Sequence, residues 1–189
     1  MPSVFAKTPL KFLLLWTVAT VGSFLVSLFW IEIGEQSDVG VIQAALGGLA
    51  IALPQSFILR ETIFCVKWVV STLLAWILLT AIGVGAMGWV VPDTESLPTR
   101  LLFGTTYGAI SGFVIGLAQW TAVRQPLPLA WQWIFISSAS WAVAVPIGST
   151  MGMVLRRLTR LFLGEVLGLA FTWLVVAILT GINAYKLLR

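Results

Sequence analysis

Long runs of apolar residues, separated by short polar breaks, fill the chain from one end to the other. A helix needs about 20 residues to cross the roughly 30 Å hydrocarbon core of a bilayer. The predicted spans are 11–33, 39–59, 63–91, 101–123, 129–154 and 161–184. Helices are expected because an unpaired backbone group in lipid costs several kcal/mol. The predicted fold is an all-α, polytopic membrane helix bundle of about six transmembrane helices, a single integral-membrane domain over 1–189.

Composition narrows the class of protein. Hydrophobic residues make up 59% of the chain and charged residues 10%, which is outside the usual range of soluble domains. Histidine, the commonest general base and metal ligand, does not occur, and Cys65 is the single cysteine. We therefore predict no enzyme activity, catalytic residue, metal site or cofactor. The net charge of +4 lies in short loops and predicts no nucleic-acid partner.

Lysine and arginine residues predict the orientation in the membrane, because cytoplasmic loops carry an excess of them. With a cytoplasmic N-terminus, that side holds Lys7, Lys11, Arg60, Lys67, Arg124, Lys186 and Arg189. The opposite side holds Arg100, Arg156, Arg157 and Arg160. Both termini are therefore predicted to be cytoplasmic, although the stretch RRLTR runs against the rule.

Two stretches of the chain repeat one spacing of glycine, glutamine, arginine and tryptophan. At offsets of 64 or 65 residues, Gly48, Gln55, Arg60, Trp68, Trp76 and Gly83 match Gly112, Gln119, Arg124, Trp133, Trp141 and Gly148. This predicts a duplicated helical hairpin over about 39–91 and 103–156. TRLFLG, which repeats the earlier TRLLFG, suggests a fainter, partial third copy at 161–189. The first span would complete it, with Trp16 spaced like Trp76, and the helices would close into a pseudo-threefold ring.

The first helix of each hairpin carries small residues at every fourth position. Residues four apart lie on one helix face, and a small-residue face lets another helix approach closely in lipid. We predict that the tryptophan-bearing helix of each hairpin packs on this face. The predicted packing residues are Gly40, Gly48, Gly104, Gly108, Gly112, Gly116, Gly164 and Gly168.

Gln55 and Gln119 continue the small-residue face, so they are expected to point into the bundle. Each is expected to hydrogen-bond to an indole or a backbone group of another helix. Contact with a ligand or an ion is the alternative. For Trp76 and Trp141, packing is favoured over stacking on a pigment or a quinone.

Glu165 is an acidic residue inside the predicted span 161–184. An intramembrane acid is by default a functional candidate. The alternative is that Glu165 lies near the membrane surface and pairs with Arg157 or Arg160.

The motif G-x3-G-x2-Q-W-x3-R, followed by paired tryptophans, resembles that of multi-pass membrane proteins abundant in cyanobacteria, to which no activity is assigned. The resemblance covers 112–148 well and 48–83 less well, because Ser56 replaces the tryptophan after the glutamine. It implies a bacterial plasma membrane or a thylakoid membrane and no mechanism.

Three functional classes remain. A non-catalytic accessory, assembly or scaffold subunit, packing through small-residue helix faces, is favoured. A small transporter or channel with a site near Gln55 and Gln119 is the alternative, and a binder of a lipid, quinone or pigment is the second. The expected partners are membrane lipid and other membrane proteins or a second copy of the chain. Convergence of Gln55, Gln119 and Glu165 on a polar cavity would favour transport or binding, whereas a dry interior would favour a scaffold.

Overall fold

A computed structural model describes residues 8–34, 39–123 and 129–187. Within these ranges the regular structure is entirely helical, and the prediction of an all-α fold is confirmed. The helices are α1 (Pro9–Ser27), α2 (Val41–Ile58), α3 (Cys65–Ala81), α4 (Leu97–Trp120), α5 (Gln132–Thr159) and α6 (Leu163–Leu187).

The six helices form a closed ring. Each packs against the helices that precede and follow it in the chain, and α6 also packs against α1. Within the described residues no other pair of helices comes into close contact. At one end, the loops after α2 and after α4 meet, because the amide of Phe64 donates to the carbonyl of Ala122 at 2.9 Å.

The polarity of the bundle is that of a helical membrane protein. Five helices are long and apolar enough to cross a membrane, and α3 is a shorter apolar helix of 17 residues. Large apolar side chains point outward; for example, Ile42 and Val66 are 77% and 78% exposed. Glutamine, serine and threonine side chains are buried inside. Polar residues of membrane spans characteristically face the bundle interior, which explains this distribution.

The predicted third span, 63–91, is wrong in its last third. Helix α3 ends at Ala81, and residues 82–96, here called the plug segment, are not helical. Gly83 and Gly85 have φ angles of 80° and 83°, a left-handed conformation that glycine adopts readily and that a helix cannot continue through. Gly83 therefore does not share a helix face with Trp68 and Trp76.

The plug segment turns back into the ring instead of leaving it. Trp89 is buried, and its indole Nε1 donates to Ser27 Oγ at 2.8 Å. The carbonyl of Gly88 accepts from Trp173 Nε1 at 2.9 Å. Irregular backbone inside a membrane bundle is tolerated where protein surrounds it, which these contacts with α1 and α6 provide.

Helix α4 packs its glycine face directly on the main chain of α5. A Cβ atom on Gly112 would lie 2.5 Å from the carbonyl oxygen of Ser137, and one on Gly108 would lie 2.5 Å from that of Trp141. An added Cβ on Gly104 would lie 3.2 Å from main-chain atoms of Pro146, and one on Gly116 would lie 2.8 Å from the Cβ of Ser137 and 3.0 Å from the Cα of Ile134. No side chain larger than hydrogen fits at these four positions without movement of α5.

The remaining predicted packing glycines divide into three environments. Gly164 and Gly168 lie against the main chain of α5 from the side of α6. Gly48 faces the indole of Trp76, whose Cδ1 would lie 2.5 Å from an added Cβ. Gly40 is different: it is the exposed N-cap of α2, where an added Cβ would meet only the side chain of Gln43 at 3.6 Å. Gly40 therefore does not lie at a helix contact, contrary to prediction.

Candidate functional site

The centre of the ring contains two groups of tryptophans with polar side chains between them. The first group, here called the indole trio, is Trp16, Trp68 and Trp133. The second, here called the tryptophan tetrad, is Trp76, Trp89, Trp141 and Trp173. The polar layer between the two groups is Thr20, Gln55, Thr72, Gln119 and Thr180.

Gln119 links three helices through its amide. Its Nε2 donates to Thr72 Oγ1 on α3 at 3.2 Å, and its Oε1 accepts from Trp133 Nε1 on α5 at 3.0 Å. The Thr72 hydroxyl donates to the carbonyl of Trp68 on its own helix at 2.8 Å, which leaves a lone pair for the amide. Gln119 therefore acts as a buried clasp, with both ends of its amide bonded.

Gln55 occupies the matching position on α2 but makes half of these bonds. Its Nε2 donates to Thr20 Oγ1 on α1 at 3.1 Å. Its Oε1 and the indole Nε1 of Trp68 are both buried without a hydrogen-bond partner among the described residues. The bond that joins Gln119 to Trp133 is therefore not formed between Gln55 and Trp68.

Trp16 completes the indole trio across the junction of α1 and α6. Its Nε1 donates to Thr180 Oγ1 at 3.1 Å, and the Thr180 hydroxyl donates to the carbonyl of Val176 at 2.6 Å. The Trp16 ring lies 6.4 Å from that of Trp133. Trp16 thus corresponds in place to Trp68 and Trp133, and its predicted equivalence to Trp76 is wrong.

The tryptophan tetrad is packed within itself. Trp76 and Trp141 have ring centroids 5.6 Å apart, and Trp141 lies 5.0 Å from Trp173. Trp89 completes the group at 5.0 Å from Trp76. Trp76 and Trp141 are therefore buried against other indoles. Trp89 and Trp173 were not predicted as site residues. Trp89 reaches the tetrad only through the turn after α3.

A cavity of about 30 Å³ lies between the indole trio and the tryptophan tetrad. Gln55 and Gln119 line it together with Thr72, Thr180 and indoles of both groups. This volume admits ordered water but is far below the roughly 300 Å³ of a typical small-molecule site. Glu165 is not among the lining residues, so the three polar candidates do not converge on this cavity.

Glu165 pairs with Arg100, and neither Arg157 nor Arg160 is its partner. Arg100 Nη2 lies 2.9 Å from Glu165 Oε1, and Nη1 lies 3.0 Å from Oε2, with both side chains almost fully buried. Arg157 instead contacts the exposed Glu95 at 3.2 Å. Arg160 ends α5 in a left-handed conformation. The first turns of α4 and α6 lie at the same end of the ring, which is why Arg100 reaches Glu165.

Arg100 uses every N–H group of its guanidinium. Besides Glu165, it donates to the carbonyl oxygens of Thr94 at 2.6 Å, Ser149 at 3.1 Å and Pro92 at 3.3 Å. The pair and these carbonyls, here called the Arg100 clamp, join the plug segment to α4, α5 and α6. A buried guanidinium with all its donors satisfied holds a structure together. Sequence reasoning missed it because the partners lie on separate elements.

Other candidates have plain environments. The Cys65 thiol donates to the carbonyl of Ser56 at 3.4 Å. Arg124, which the repeat matches to Arg60, lies outside the described residues, as do Lys7 and Arg189. Within the described parts of the chain, no group of three or more cysteine, aspartate or glutamate side chains is placed to hold a metal ion.

Comparison with known protein families, with curated proteins and with solved structures finds no match for this chain.

Proposed function

We propose that this helical membrane protein is a non-catalytic accessory, assembly or scaffold subunit that acts by packing against other membrane proteins. The observation that carries the proposal is the state of the two interior glutamines. Both donate to threonines of neighbouring helices, and Gln119 also accepts from an indole. The cavity between them, of about 30 Å³, is far smaller than the roughly 300 Å³ of a typical small-molecule site.

The outer surface supports the same function. The glycine faces of α4 and α6 are used inside the chain, against α5, so a partner would meet the outward apolar faces. These faces carry large side chains on every helix, among them Leu14, Val66, Leu102, Phe135 and Leu167. The contact surface offered to a partner is therefore aliphatic and aromatic, and association would depend on shape in the lipid phase.

A transporter or channel near Gln55 and Gln119 is the competing function. Such proteins bind substrate near the middle of the membrane, often at broken helices. The tryptophan tetrad, which includes Trp89 of the plug segment, stands on one side of the central cavity and the indole trio on the other. Solute passage would require these packed indoles to separate, and this makes transport the weaker proposal.

We further propose that both termini are cytoplasmic, in a bacterial plasma membrane or a thylakoid membrane. Lys11, Arg60, Lys67 and Lys186 are exposed at the end of the ring where α1 begins and α6 ends. At the other end, Arg100 is buried in its clamp and Arg157 is paired with Glu95, although Arg160 is exposed there. A reporter active only in the cytoplasm, fused at the C-terminus, should be active; activity of a periplasmic reporter at that position would contradict the orientation.

Cross-linking tests the scaffold function. A photoreactive residue is placed singly at the exposed positions Leu14, Val66, Leu102, Phe135 and Leu167, and at the buried Ala144 as a matched control. In native membranes we expect adducts with a membrane protein, or with a second copy, from adjacent outward positions and none from Ala144. Adduct formation at Ala144 equal to that at the outer positions would show non-specific capture.

Flux through reconstituted vesicles separates the two functions. We expect vesicles that contain the purified chain to pass water, glycerol and monovalent ions no faster than protein-free vesicles. Solute flux that Gln55→Leu and Gln119→Leu abolish, together with no cross-linked partner, would overturn the scaffold proposal in favour of transport. A Phe57→Leu variant, changed on the outer surface, is the matched control.

A further inference from the structure

A second cavity, of about 470 Å³, lies between the plug segment, α4 and α5. This lateral cavity has mostly apolar walls: Met87 and Val90 come from the plug segment, Phe103 from α4 and Val145 from α5. Its volume falls within the range of about 300–1,000 Å³ that is typical of sites for small molecules. Phe103 is 50% exposed, so one wall reaches the outward surface of α4, where a membrane-soluble molecule has access. Three polar lining residues belong to the chain around the start of α4: Asp93, Thr94 and Thr99.

Two aromatic rings from α4 line the lateral cavity side by side. The ring centroids of Phe103 and Tyr107, one helical turn apart, are separated by 5.8 Å, and the ring planes are inclined by 32°. Aromatic rings attract a further ring in offset or tilted arrangements at such distances. This aromatic wall therefore favours a ligand that has a flat ring over one that is only a flexible hydrocarbon chain.

The aromatic wall also carries a hydroxyl group that the protein does not satisfy. Tyr107 is partly buried, and its hydroxyl makes no hydrogen bond to another described residue. A phenol is both a donor and an acceptor, and removing it from water without a partner costs free energy. A ligand that presents an acceptor oxygen to Tyr107 would therefore bind more tightly than a hydrocarbon of the same shape.

The depth of Tyr107 in the membrane indicates which molecules can offer that oxygen. Helix α4 has 24 residues and is about 36 Å long, so a centred helix extends about 3 Å beyond each edge of the hydrocarbon core. Tyr107 follows the first residue of α4 by ten positions, or about 15 Å, and therefore lies about 12 Å inside the core. Its side chain leans towards the start of the helix but stays within hydrocarbon. A phospholipid, whose ester oxygens lie at the edge of the core, offers only methylene groups at this depth.

We propose that the lateral cavity binds one isoprenoid quinone. The flat head lies against the rings of Phe103 and Tyr107, the Tyr107 hydroxyl donates to a carbonyl oxygen of the head, and the apolar tail passes Phe103 into the bilayer. A quinone is neutral and lipophilic and carries acceptor oxygens on a flat ring, so it complements the apolar walls, the aromatic wall and the unbonded phenol together. The site is independent of the scaffold function, because it requires no partner protein.

Native mass spectrometry of the full chain, stripped of lipid in a mild detergent, tests the site. The probe is decylubiquinone, and decylbenzene is the matched ligand, because it has the same tail and a flat ring without oxygen atoms. We expect one bound decylubiquinone per chain, with affinity at least about tenfold higher than for decylbenzene. Equal affinity for the two probes would overturn the proposal. Displacement of decylubiquinone by an equal concentration of phosphatidylglycerol would also overturn it, in favour of a lipid chain in the cavity.

Removal of one hydroxyl tests the hydrogen bond to the quinone. Tyr107→Phe keeps the ring and should lower the affinity for decylubiquinone about three- to tenfold, with no change for decylbenzene. Tyr185→Phe is the matched control, because the other tyrosine of the chain lies near the end of α6 and does not line the cavity. It should leave both affinities unchanged. Wild-type affinity for decylubiquinone in Tyr107→Phe would overturn the proposal.

A cavity-filling variant assigns the binding to this cavity. Val90→Trp places bulk in the lateral cavity and should lower the affinity for decylubiquinone at least about tenfold. Leu102→Trp adds the same side chain at a position that is 66% exposed on the outward surface of α4 and should leave the affinity unchanged. The melting temperature shows whether each variant is folded, and should Val90→Trp not fold, Thr99→Phe fills the cavity from α4. Wild-type affinity in either folded cavity-filling variant would overturn the assignment.

Discussion

In the α4–α5 hairpin glycine meets main chain, whereas in the α2–α3 hairpin glycine meets an indole. An added Cβ on Gly112 would lie 2.5 Å from the carbonyl oxygen of Ser137. At the matching position, an added Cβ on Gly48 would lie 2.5 Å from Cδ1 of Trp76. The α4 and α5 backbones are therefore in direct contact, while a side chain separates α2 from α3.

The difference lies in residues outside the motif. Helix α5 has Ser138 where α3, 65 residues earlier, has Leu73. Helix α4 has Gly108 where α2 has Ala44, and two turns later it has Gly116 where α2 has Ala52. Close backbone contact requires small residues on both helices. The repeated glycine alone permits approach, and the facing helix determines how close it is.

The hydrogen bonds of the two interior glutamines also differ between the two hairpins. Gln119 bonds through both ends of its amide, and Gln55 through one. In the closely packed hairpin, Trp133 comes within 3.0 Å of the glutamine oxygen. Close backbone packing and a complete hydrogen-bond clasp therefore occur together in one half of the ring and are both missing from the other.

The largest expected effect comes from breaking the Arg100 clamp, which anchors the closely packed half. Glu165→Ala leaves a buried guanidinium without its counter-ion and should lower the free energy of unfolding by about 3–5 kcal/mol. Unfolding by a denaturing detergent in mixed micelles measures this change.

Arg157→Ala is the matched control, since it removes the exposed pair with Glu95 and should cost at most about 1 kcal/mol. Equal losses in Glu165→Ala and Arg157→Ala would show that the buried clamp does not hold α4, α5 and α6 together.

The next effect tests the glycine contacts directly. Gly112→Ala should lower the free energy of unfolding by about 1–3 kcal/mol, because the main chain of α5 has to move. Gly48→Ala should cost less, because the Trp76 ring can shift more easily than a backbone. Gly22→Ala, where an added Cβ has no neighbour within 4 Å, is the control and should be neutral or slightly stabilising.

Gly112→Leu extends this series to its limit. We expect the variant not to accumulate in the membrane, as measured by immunoblot against the wild-type chain. Accumulation at the wild-type level, or an equal cost for Gly112→Ala and Gly22→Ala, would contradict the close contact between α4 and α5.

Apolar periodicity predicted the number of helices because hydrocarbon thickness fixes their length. It did not predict the plug segment, since residues 82–91 are as apolar as a span. Only the left-handed glycines Gly83 and Gly85 mark the turn, and their conformation depends on contacts made elsewhere in the ring. The burial of Trp89 depends on this turn, so the sequence did not predict it either.

The candidate site, like the fold, could be predicted from the sequence only in part. Burial of Gln55 and Gln119 follows from their place on the small-residue face, and both are 5–6% exposed. Their partners are threonines on other helices, which spacing along one helix does not indicate. The Arg100–Glu165 pair joins residues 65 positions apart on elements that meet only once the ring has closed.

Replacing each glutamine by a leucine of similar size tests the hydrogen-bond comparison. Gln119→Leu removes two interhelical bonds and leaves the Trp133 indole without an acceptor, so it should cost about 1–2 kcal/mol. Gln55→Leu removes one bond and a buried unpaired oxygen, so it should cost at most about 0.6 kcal/mol. Mixed-micelle unfolding measures both, and an equal or larger loss in Gln55→Leu would contradict the asymmetry.

The smallest effect isolates a single hydrogen bond. Trp133→Phe and Trp68→Phe remove the same ring atoms from the same buried trio, so the loss of packing is common to both. Trp133→Phe also removes the donor to Gln119, whereas the Trp68 Nε1 has no partner among the described residues. The difference between the two free energies of unfolding should therefore be about 0.6 kcal/mol, the average of interhelical hydrogen bonds in a membrane bundle. If Trp68→Phe costs as much as Trp133→Phe, its indole is bonded in the membrane, and the two halves of the ring are more alike than their contacts indicate.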